Sequence, residues 1–352
     1  MAPHLDNLVI TAPLSQEKLA EVKTHFKHVH HIPYPAPVPK DIAREADVWY
    51  SNYHGLPEDL TWEDVKRTKV VQLTSAGANK ALESPALKNE TARKHIAICS
   101  ASGIHVLSIP QWIISQAISV YSRIYLQTFN LRTEQKWRRD IPQFPKSQGF
   151  TGQTLHGKTA GLLGYGHIAR ETARLLKAFN VKVIAANSSG ERRDDDGYII
   201  PGTGDKDGSI PSGYYSTNDP DSFNSFLQQT DILIASLPST PQTTNLLKAE
   251  HLALLKKGAI FINVGRGDLV KTEVLLEALN DNLSGSALDV TDPEPLPDNH
   301  PLFTHPQVTI TPHTSSDIAG YFEIGADLLL ANVKRIREGG KPINKVDPAK
   351  GY

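Results

Sequence analysis

Lys158-Thr-Ala-Gly-Leu-Leu-Gly-Tyr-Gly-His-Ile-Ala169 decides how the rest of this chain is read. An apolar run, 159–163, leads into glycines at 164 and 166 and then into a helical pattern carried by Ile168, Leu175, Leu176 and Phe179. The stretch therefore reads as a buried strand turning sharply into a helix. Gly164 permits the tight turn, Gly166 leaves room for a ligand beside its backbone, and Ala169 lets the helix lie close to the strand. The helix N-terminus adds unpaired N–H groups and the positive end of a dipole, which suits phosphate. The pattern predicts a dinucleotide pyrophosphate held around Gly164, Tyr165, Gly166, His167 and Ile168. Glycine-rich turns also arise for packing alone, so the reading depends on what the remaining sequence supplies.

Working outward, apolar runs at 181–186, 231–236, 259–263, 286–289 and 308–311 alternate with helical patterns at 248–255 and 272–280, as in a doubly wound parallel sheet. Upstream, shorter runs at 8–11, 29–32, 47–50, 69–73 and 95–99 predict a second, smaller α/β lobe, with a helix from Ser15 that buries Leu19, Val22 and Phe26. The Pro-rich segment 33–39 is a surface connection. One long helix is expected over 110–136 as the link between lobes; Ser115, Gln116, Ser119 and Ser122 break its apolar character, so it is not a membrane span. A Pro-rich crossing follows at 140–152. The stretch 187–219, rich in Gly, Ser, Asp and Pro, reads as a mobile loop insertion. A last helix over 316–338 returns to the first lobe. The expected domains are 1–112 with 315–352, and 113–314 inserted between them, with a hinge at the two crossings.

The chain has 352 residues, enough for two domains, and its 37 basic and 38 acidic residues are mixed to a formal net charge of -1. Nothing in that balance calls for nucleic acid or an anionic membrane surface. Cys99 is the only cysteine, which excludes an intrachain disulfide and a thiolate metal cluster. No leader-like segment opens the sequence, and a cytoplasmic protein acting on a small molecule, with no metal, is expected.

Three motifs fall at the C-terminal ends of predicted strands: Asn263-Val-Gly-Arg-Gly267, Ala287-Leu-Asp-Val-Thr-Asp-Pro-Glu294 and Thr311-Pro-His313. Such ends converge on one cleft. Arg266, exposed by its flanking glycines, suits a bidentate grip on a carboxylate. His313 suits proton transfer near neutral pH, and a carboxylate from Glu294 beside it favours the imidazolium. Singly, each is equally a surface arginine, a loop acid and one of 14 histidines. The three form a set only together. The loop Thr74-Ser-Ala-Gly-Ala-Asn79 also follows a strand, and the backbone amides of Ser75, Ala76 and Gly77 suit a substrate carboxylate, although an ordinary turn explains Gly77 equally well.

In order and spacing, Gly161 to Ala169, Leu237-Pro-Ser-Thr-Pro-Gln-Thr243, Asn263 to Asp268, Ala287 to Val290 with Glu294-Pro-Leu, and Thr311-Pro-His313 resemble the D-isomer-specific 2-hydroxyacid dehydrogenase family over nearly the whole chain. The resemblance implies a Rossmann NAD(P)-binding domain inserted in a smaller flavodoxin-like α/β substrate domain, an active site in the cleft and a homodimer. It implies that Arg266 binds the substrate carboxylate and keto oxygen, that His313 is the general acid and base with Glu294 as its partner, and that Asp289 faces the nicotinamide carboxamide. Leu237, Pro238, Thr243, Val264 and Gly265 join the implied cofactor contacts. Two positions depart from the family pattern: Asn79 stands where an aspartate is common, and Ile109-Pro-Gln-Trp112 where an Ala-Glu pair is common, with Trp112 either closing over the nicotinamide or packing in the core.

After the second strand of the unit, an acid would select NAD by binding the ribose 2'-hydroxyl. Here the chain reads Asn187-Ser-Ser-Gly-Glu-Arg-Arg193, so Asn187, Ser188 and Ser189 as donors and Arg192 or Arg193 as charge favour NADP, with NAD also possible. Asp194, Asp195 and Asp196 compete for those arginines. The expected activity is reduction of a small 2-oxo acid such as glyoxylate or hydroxypyruvate. Bulkier branched or aromatic 2-oxo acids, a formate dehydrogenase relative, and a dinucleotide-sensing interaction protein on the same fold are the alternatives.

Overall fold

The computed structural model describes residues 4–137, 140–143 and 152–347. Its chain divides into two compact units: Met1–Ile104, Asp196–Ile200 and Ile318–Tyr352 form the first, His105–Asp195 and Pro201–Asp317 the second. Among the described residues no helix is long and apolar enough to cross a membrane.

In the first unit, short apolar runs become β1 (Asn7–Ile10), β2 (His28–His31), β3 (Val48–Ser51), β4 (Val70–Leu73) and β5 (Ala97–Cys99), all parallel in the order β2-β1-β3-β4-β5. Helix α1 (Gln16–Lys23) starts at Ser15, whose hydroxyl accepts from the Lys18 amide, and buries Leu19 and Val22. The short helices α2 (Lys40–Glu45), α3 (Asn79–Leu82), α4 (Pro85–Lys88) and α5 (Glu90–His95) fill the crossovers. Buried Gln72 and Asn332 are paired here. Asn332, on the last helix of the chain (Tyr321–Arg337), donates to Gln72 Oε1 at 2.8 Å, and Gln72 Nε2 donates to the carbonyls of Leu73, Cys99 and Ser100. Burial pushes the Cys99 thiol up to about 12, which keeps it from acting as a nucleophile at neutral pH.

In the second unit, β6 (Thr159–Leu163), β7 (Lys182–Asn187), β8 (Tyr214–Ser216), β9 (Ile232–Ala235), β10 (Ala259–Asn263), β11 (Leu283–Leu288) and β12 (Val308–Ile310) are all parallel, in the order β12-β11-β10-β9-β6-β7-β8. Strands β6, β9 and β10 are buried on both faces, as the middle of a covered parallel sheet requires. Helices α6 (Ile109–Ser122), α7 (Ile124–Glu134) and α8 (His167–Lys177) precede α9 (Pro220–Gln228), α10 (Ala249–Ala253) and α11 (Thr272–Asp281). The face packed by α6 and α8 buries Ile113, Ala117, Leu162 and Ile262; the opposite face buries Phe226, Leu252, Phe261 and Leu279.

Several expectations are corrected. The single helix over 110–136 is two, because Arg123 takes a left-handed conformation (φ 52) and the freed Ser122 carbonyl accepts from Gln127 Nε2 at 2.8 Å. The stretch 187–219 is not one mobile loop: it ends in β8, and its residues Asp196–Ile200 are part of the first unit, within which Tyr198 packs against Ala101, Ile104 and Leu328. Strand β11 starts three residues before its expected place, since Ser284 and Gly285 hide the pattern. The last helix starts at Tyr321 rather than 316, after Gly320 at φ 82. The crossing expected at 140–152 lies largely outside the described residues.

Gly161, in the middle of β6, shows how tightly this sheet is covered: a Cβ there would lie 2.3 Å from Thr230 Oγ1 and 2.8 Å from Phe226 Cζ. Gly161→Ala is expected to lower stability by about 1–3 kcal/mol through overpacking. A fall in the urea midpoint at unchanged slope is the readout; an unchanged midpoint would show that the helix α9 side yields freely.

Candidate active site

Since the strands of the larger sheet run one way, the loops after β6, β7, β9, β10, β11 and β12 share one edge. Strand order reverses between β6 and β9, and ligands of open α/β sheets bind outside such a point. Gly164 follows β6 at φ +89, a conformation that only glycine adopts easily, and a Cβ there would lie 2.9 Å from Leu237 Cδ2 in the loop after β9. Gly166, the N-cap of α8, is open: an added Cβ meets nothing within 4 Å. That space, beside the first amides of a helix with no intrahelical acceptor, fits a pyrophosphate.

The turn after β7 differs from expectation. Asn187 Oδ1 accepts from the amides of Ser189 (3.0 Å) and Gly190 (2.7 Å) and from the Ser189 hydroxyl (3.1 Å), while Asn187 Nδ2 donates to the Glu191 carbonyl (2.8 Å). These donors close the turn instead of pointing to a ligand. Arg192 is held by Asp207, with Nη2 2.8 Å from Oδ2 and Nε donating to the carbonyl, and not by Asp194, Asp195 or Asp196. Ser188 and Arg193 are exposed, and Arg193 pairs with no acid among the described residues. After β9, the Thr243 hydroxyl donates to the Pro238 carbonyl at 2.6 Å and accepts from the Thr240 amide at 2.8 Å, which folds the Leu237–Pro238 loop back on itself.

Arg266 follows β10 and is exposed, its Nη1 donating to the Gly265 carbonyl at 2.7 Å. The flanking glycines have a reason other than exposure. A Cβ on Gly265 would lie 2.6 Å from the Leu237 carbonyl oxygen, and one on Gly267 2.0 Å from the Thr291 carbonyl carbon. Only bare backbone lets this turn press against the loops after β9 and β11. Val264 packs below, and buried Asn263 shapes the turn by accepting from the Gly265 amide and donating to the Arg266 carbonyl.

Glu294, after β11, and His313, after β12, meet with Oε1 2.6 Å from Nδ1, both side chains nearly half exposed. The second Glu294 oxygen accepts from the Thr291 amide at 3.4 Å. His313 sits at φ 54, in the left-handed region, and its amide donates to the carbonyls of Asp289 and Thr311, each at 2.9 Å. Asp289, 2% exposed, accepts from the Thr311 hydroxyl (2.5 Å), the Thr314 amide (3.0 Å), and both the amide and hydroxyl of Ser315. Its carboxylate is thus the anchor of the histidine turn. Sequence reading missed this because two of the four donors are backbone amides, which leave no mark in a motif.

In the first unit, the Ser75 hydroxyl donates to the Gly77 carbonyl at 2.7 Å, and the Ala76 and Gly77 amides have no acceptor among the described residues. Trp112 is half-buried against the second unit's core.

The family profile of the D-isomer specific 2-hydroxyacid dehydrogenase, NAD binding domain, matches residues 115–203 and 207–315. The chain belongs to the D-isomer specific 2-hydroxyacid dehydrogenase family. The break in the match, 204–206, falls within the insertion before β8. A glyoxylate reductase of Thermofilum pendens is 31% identical over 254 residues, 72% of this chain and 68% of its own. Glyoxylate/hydroxypyruvate reductase A of Yersinia enterocolitica is 28% identical over 249 residues, 70% and 69% of the two. In fold, the chain is similar to the NADPH-dependent glyoxylate/hydroxypyruvate reductase of Sinorhizobium meliloti in complex with NADP and sulfate, with a TM-score of 0.70 at 22% identity over 99% of this chain and 100% of that one. This member of the dehydrogenase family is an NAD(P)-dependent oxidoreductase with a Rossmann dinucleotide-binding domain.

One group near the site of this dehydrogenase was not singled out in the sequence. His105 is buried, and burial pushes its imidazole down to about 4, helped by the positive charges of His167 and Arg266. The unfolded chain recovers an ordinary histidine near 6.5, so it binds a proton that the folded chain refuses. Stability is therefore expected to be full above about pH 6.5 and to fall by roughly 3 kcal/mol in all as pH drops toward 4. Urea midpoints from pH 4 to 7 test this, and a slope left intact by His105→Gln would remove His105 as its source. For Asp289→Asn, which turns one acceptor toward donors, a loss of about 1–3 kcal/mol is expected together with a fall in kcat larger than any change in KM. Unchanged kcat would show that the histidine turn holds without the carboxylate.

Proposed function

We propose that this chain is an NADPH-preferring reductase of a small 2-oxo acid, with glyoxylate and hydroxypyruvate the leading candidates, and that His313 is its general acid and base. The observation that carries the reading is the 2.6 Å contact of Glu294 with His313 Nδ1. With Nδ1–H given to the carboxylate, Nε2 is the nitrogen left to exchange a proton with substrate. Arg266, two strands away on the same edge, offers a guanidinium to the substrate carboxylate and the carbonyl oxygen. The free amides of Ala76 and Gly77 suit a carboxylate as well.

Bound NADPH supplies the hydride that reduces C2. His313 enters reduction as imidazolium and gives its proton to the carbonyl oxygen; in oxidation the neutral ring takes it back. Glu294 stabilises the charged ring and fixes the tautomer of the neutral one. Reduction thus consumes the proton on Nε2, and oxidation restores it. The absence of an acid at the end of β7, with Ser188 and Arg193 exposed beyond it, supports NADPH over NADH. Ile124, Phe129 and Leu131 on α7, with Trp137 beyond it at 92% exposure, support the homodimer as the surface it would cover.

Steady-state rates for a panel of 2-oxo acids with NADPH and with NADH test the reading, and His313→Ala is expected to lower kcat by about 10²–10⁴. NADPH binding without turnover of any 2-oxo acid would favour a sensing protein instead. Faster turnover of aromatic or branched acids than of glyoxylate would move the substrate to the bulkier class.

A further inference from the structure

We infer that Arg170, on the helix that receives the pyrophosphate, sets the NADPH preference by holding the main chain of Arg193 in place. The inference rests on the NADPH reading above. Arg170 is 4% exposed, and its guanidinium is fully engaged within the second unit. Nη2 donates to the Arg193 carbonyl at 2.7 Å, Nη1 to the Asp205 carbonyl, and Nε to the Tyr165 carbonyl at 3.2 Å. The group lies 5.0 Å from the centroid of the Tyr165 ring, and Asp195 Oδ2 is 3.7 Å from Nε. One planar cation thus joins three carbonyls from three separate places in the sequence: the fingerprint turn, the start of the insertion and its middle.

Around it the insertion is fixed from the same side. The Tyr165 hydroxyl donates to Asp205 Oδ2 at 2.6 Å, the amides of Ser209 and Ile210 donate to Asp205 carboxylate oxygens, and the Gly204 amide donates to Glu171 Oε2 at 2.6 Å. Asp195 Oδ1 lies 3.1 Å from His167 Nε2. Between β7 and β8, where a doubly wound sheet ordinarily places a crossover helix, residues 188–213 carry no helix or strand. Arg193 is therefore not placed by secondary structure. It lies six residues beyond Asn187, the end of β7, in a segment whose position depends on these tertiary bonds. Its side chain is exposed and unpaired among the described residues, while its neighbour Arg192 is tied to Asp207. Holding the Arg193 carbonyl limits where its guanidinium can reach, and a charge held in place binds a 2'-phosphate better than one free to swing. A lysine at 170 has no planar fork and cannot span three carbonyls in different directions.

The test is binding, read from nicotinamide fluorescence as the dissociation constants of NADPH and NADH for the full chain and its variants. Arg193→Ala is expected to weaken NADPH by about tenfold or more and to leave NADH nearly unchanged. Arg170→Met is expected to cut the NADPH-over-NADH ratio several-fold, and Arg170→Met combined with Arg193→Ala to give the ratio of Arg193→Ala alone, since both changes act through one contact. If Arg170→Met does not fold, as judged by circular dichroism, Arg170→Lys carries the same comparison. No selective loss in Arg193→Ala would overturn the assignment of the phosphate to Arg193 and the inference with it. A selective loss in Arg193→Ala with an unchanged ratio in the Arg170 variant, or equal weakening of both cofactors there, would overturn the inference alone.

Discussion

A parallel sheet has one edge at which every strand hands its chain to a loop, and the larger sheet of this protein is parallel throughout. That directionality explains why residues as far apart in sequence as Gly164, Arg266, Glu294 and His313 follow neighbouring or nearby strands of one edge. Loops at such an edge must still be held at short range, because each carries exposed polar groups that water would otherwise compete for. The protein meets this with bare backbone and buried acceptors. Gly265 and Gly267 let three loops touch through their main chains, and Asp289 gathers the donors of the turn that presents His313.

The separation between groups that act and groups that hold follows from burial. His313, Glu294 and Arg266 are solvent-accessible, so their mutual attraction is weak and cannot by itself fix their geometry. Asp289 and Asn263 are buried, and each hydrogen bond they accept or donate is one whose loss leaves an unsatisfied group in the interior. Precision at the exposed histidine is thus supplied from beneath it. His313 adopts a left-handed backbone, uncommon for a residue with a side chain, and its amide bonds to Asp289 and Thr311 accompany that conformation.

Strands and glycine turns were legible in the sequence because their causes are local. A run such as Ala-Ile-Phe-Ile-Asn at 259–263, apolar at all but its last position, matches a strand buried on both faces, and β10 has those bounds. Strand β11 was partly hidden, since its first half holds Gly285 beneath Val120 Cγ1 and Ser284 donating to the Gly258 carbonyl, residue types that seldom mark a strand. The break at Arg123 left no mark, because an arginine in the left-handed region looks like any arginine. At the site, the residue types that do chemistry were recognisable from motif and family likeness. Their supports were not: Asn187 and Thr243 present the same side chains whether they face a ligand or close their own turn. His105 gave no signal because its depressed titration comes from burial and from charges over 60 residues away in sequence.

The insertion between β7 and β8 occupies a crossover that has no helix of its own. A helix positions the residues around it through its own backbone bonds, whatever its neighbours do. A segment without one must borrow rigidity, and here it borrows from α8 through Arg170, Glu171 and His167 and from the fingerprint turn through Tyr165. The glycine turn and the segment beyond the adjacent strand are thereby one hydrogen-bonded body. Substitutions in either are felt by both, so a residue facing away from any ligand, such as Arg170, bears on how the exposed end of that body meets one. This coupling is absent from any motif, because its acceptors are main-chain carbonyls whose positions exist only once the chain has folded.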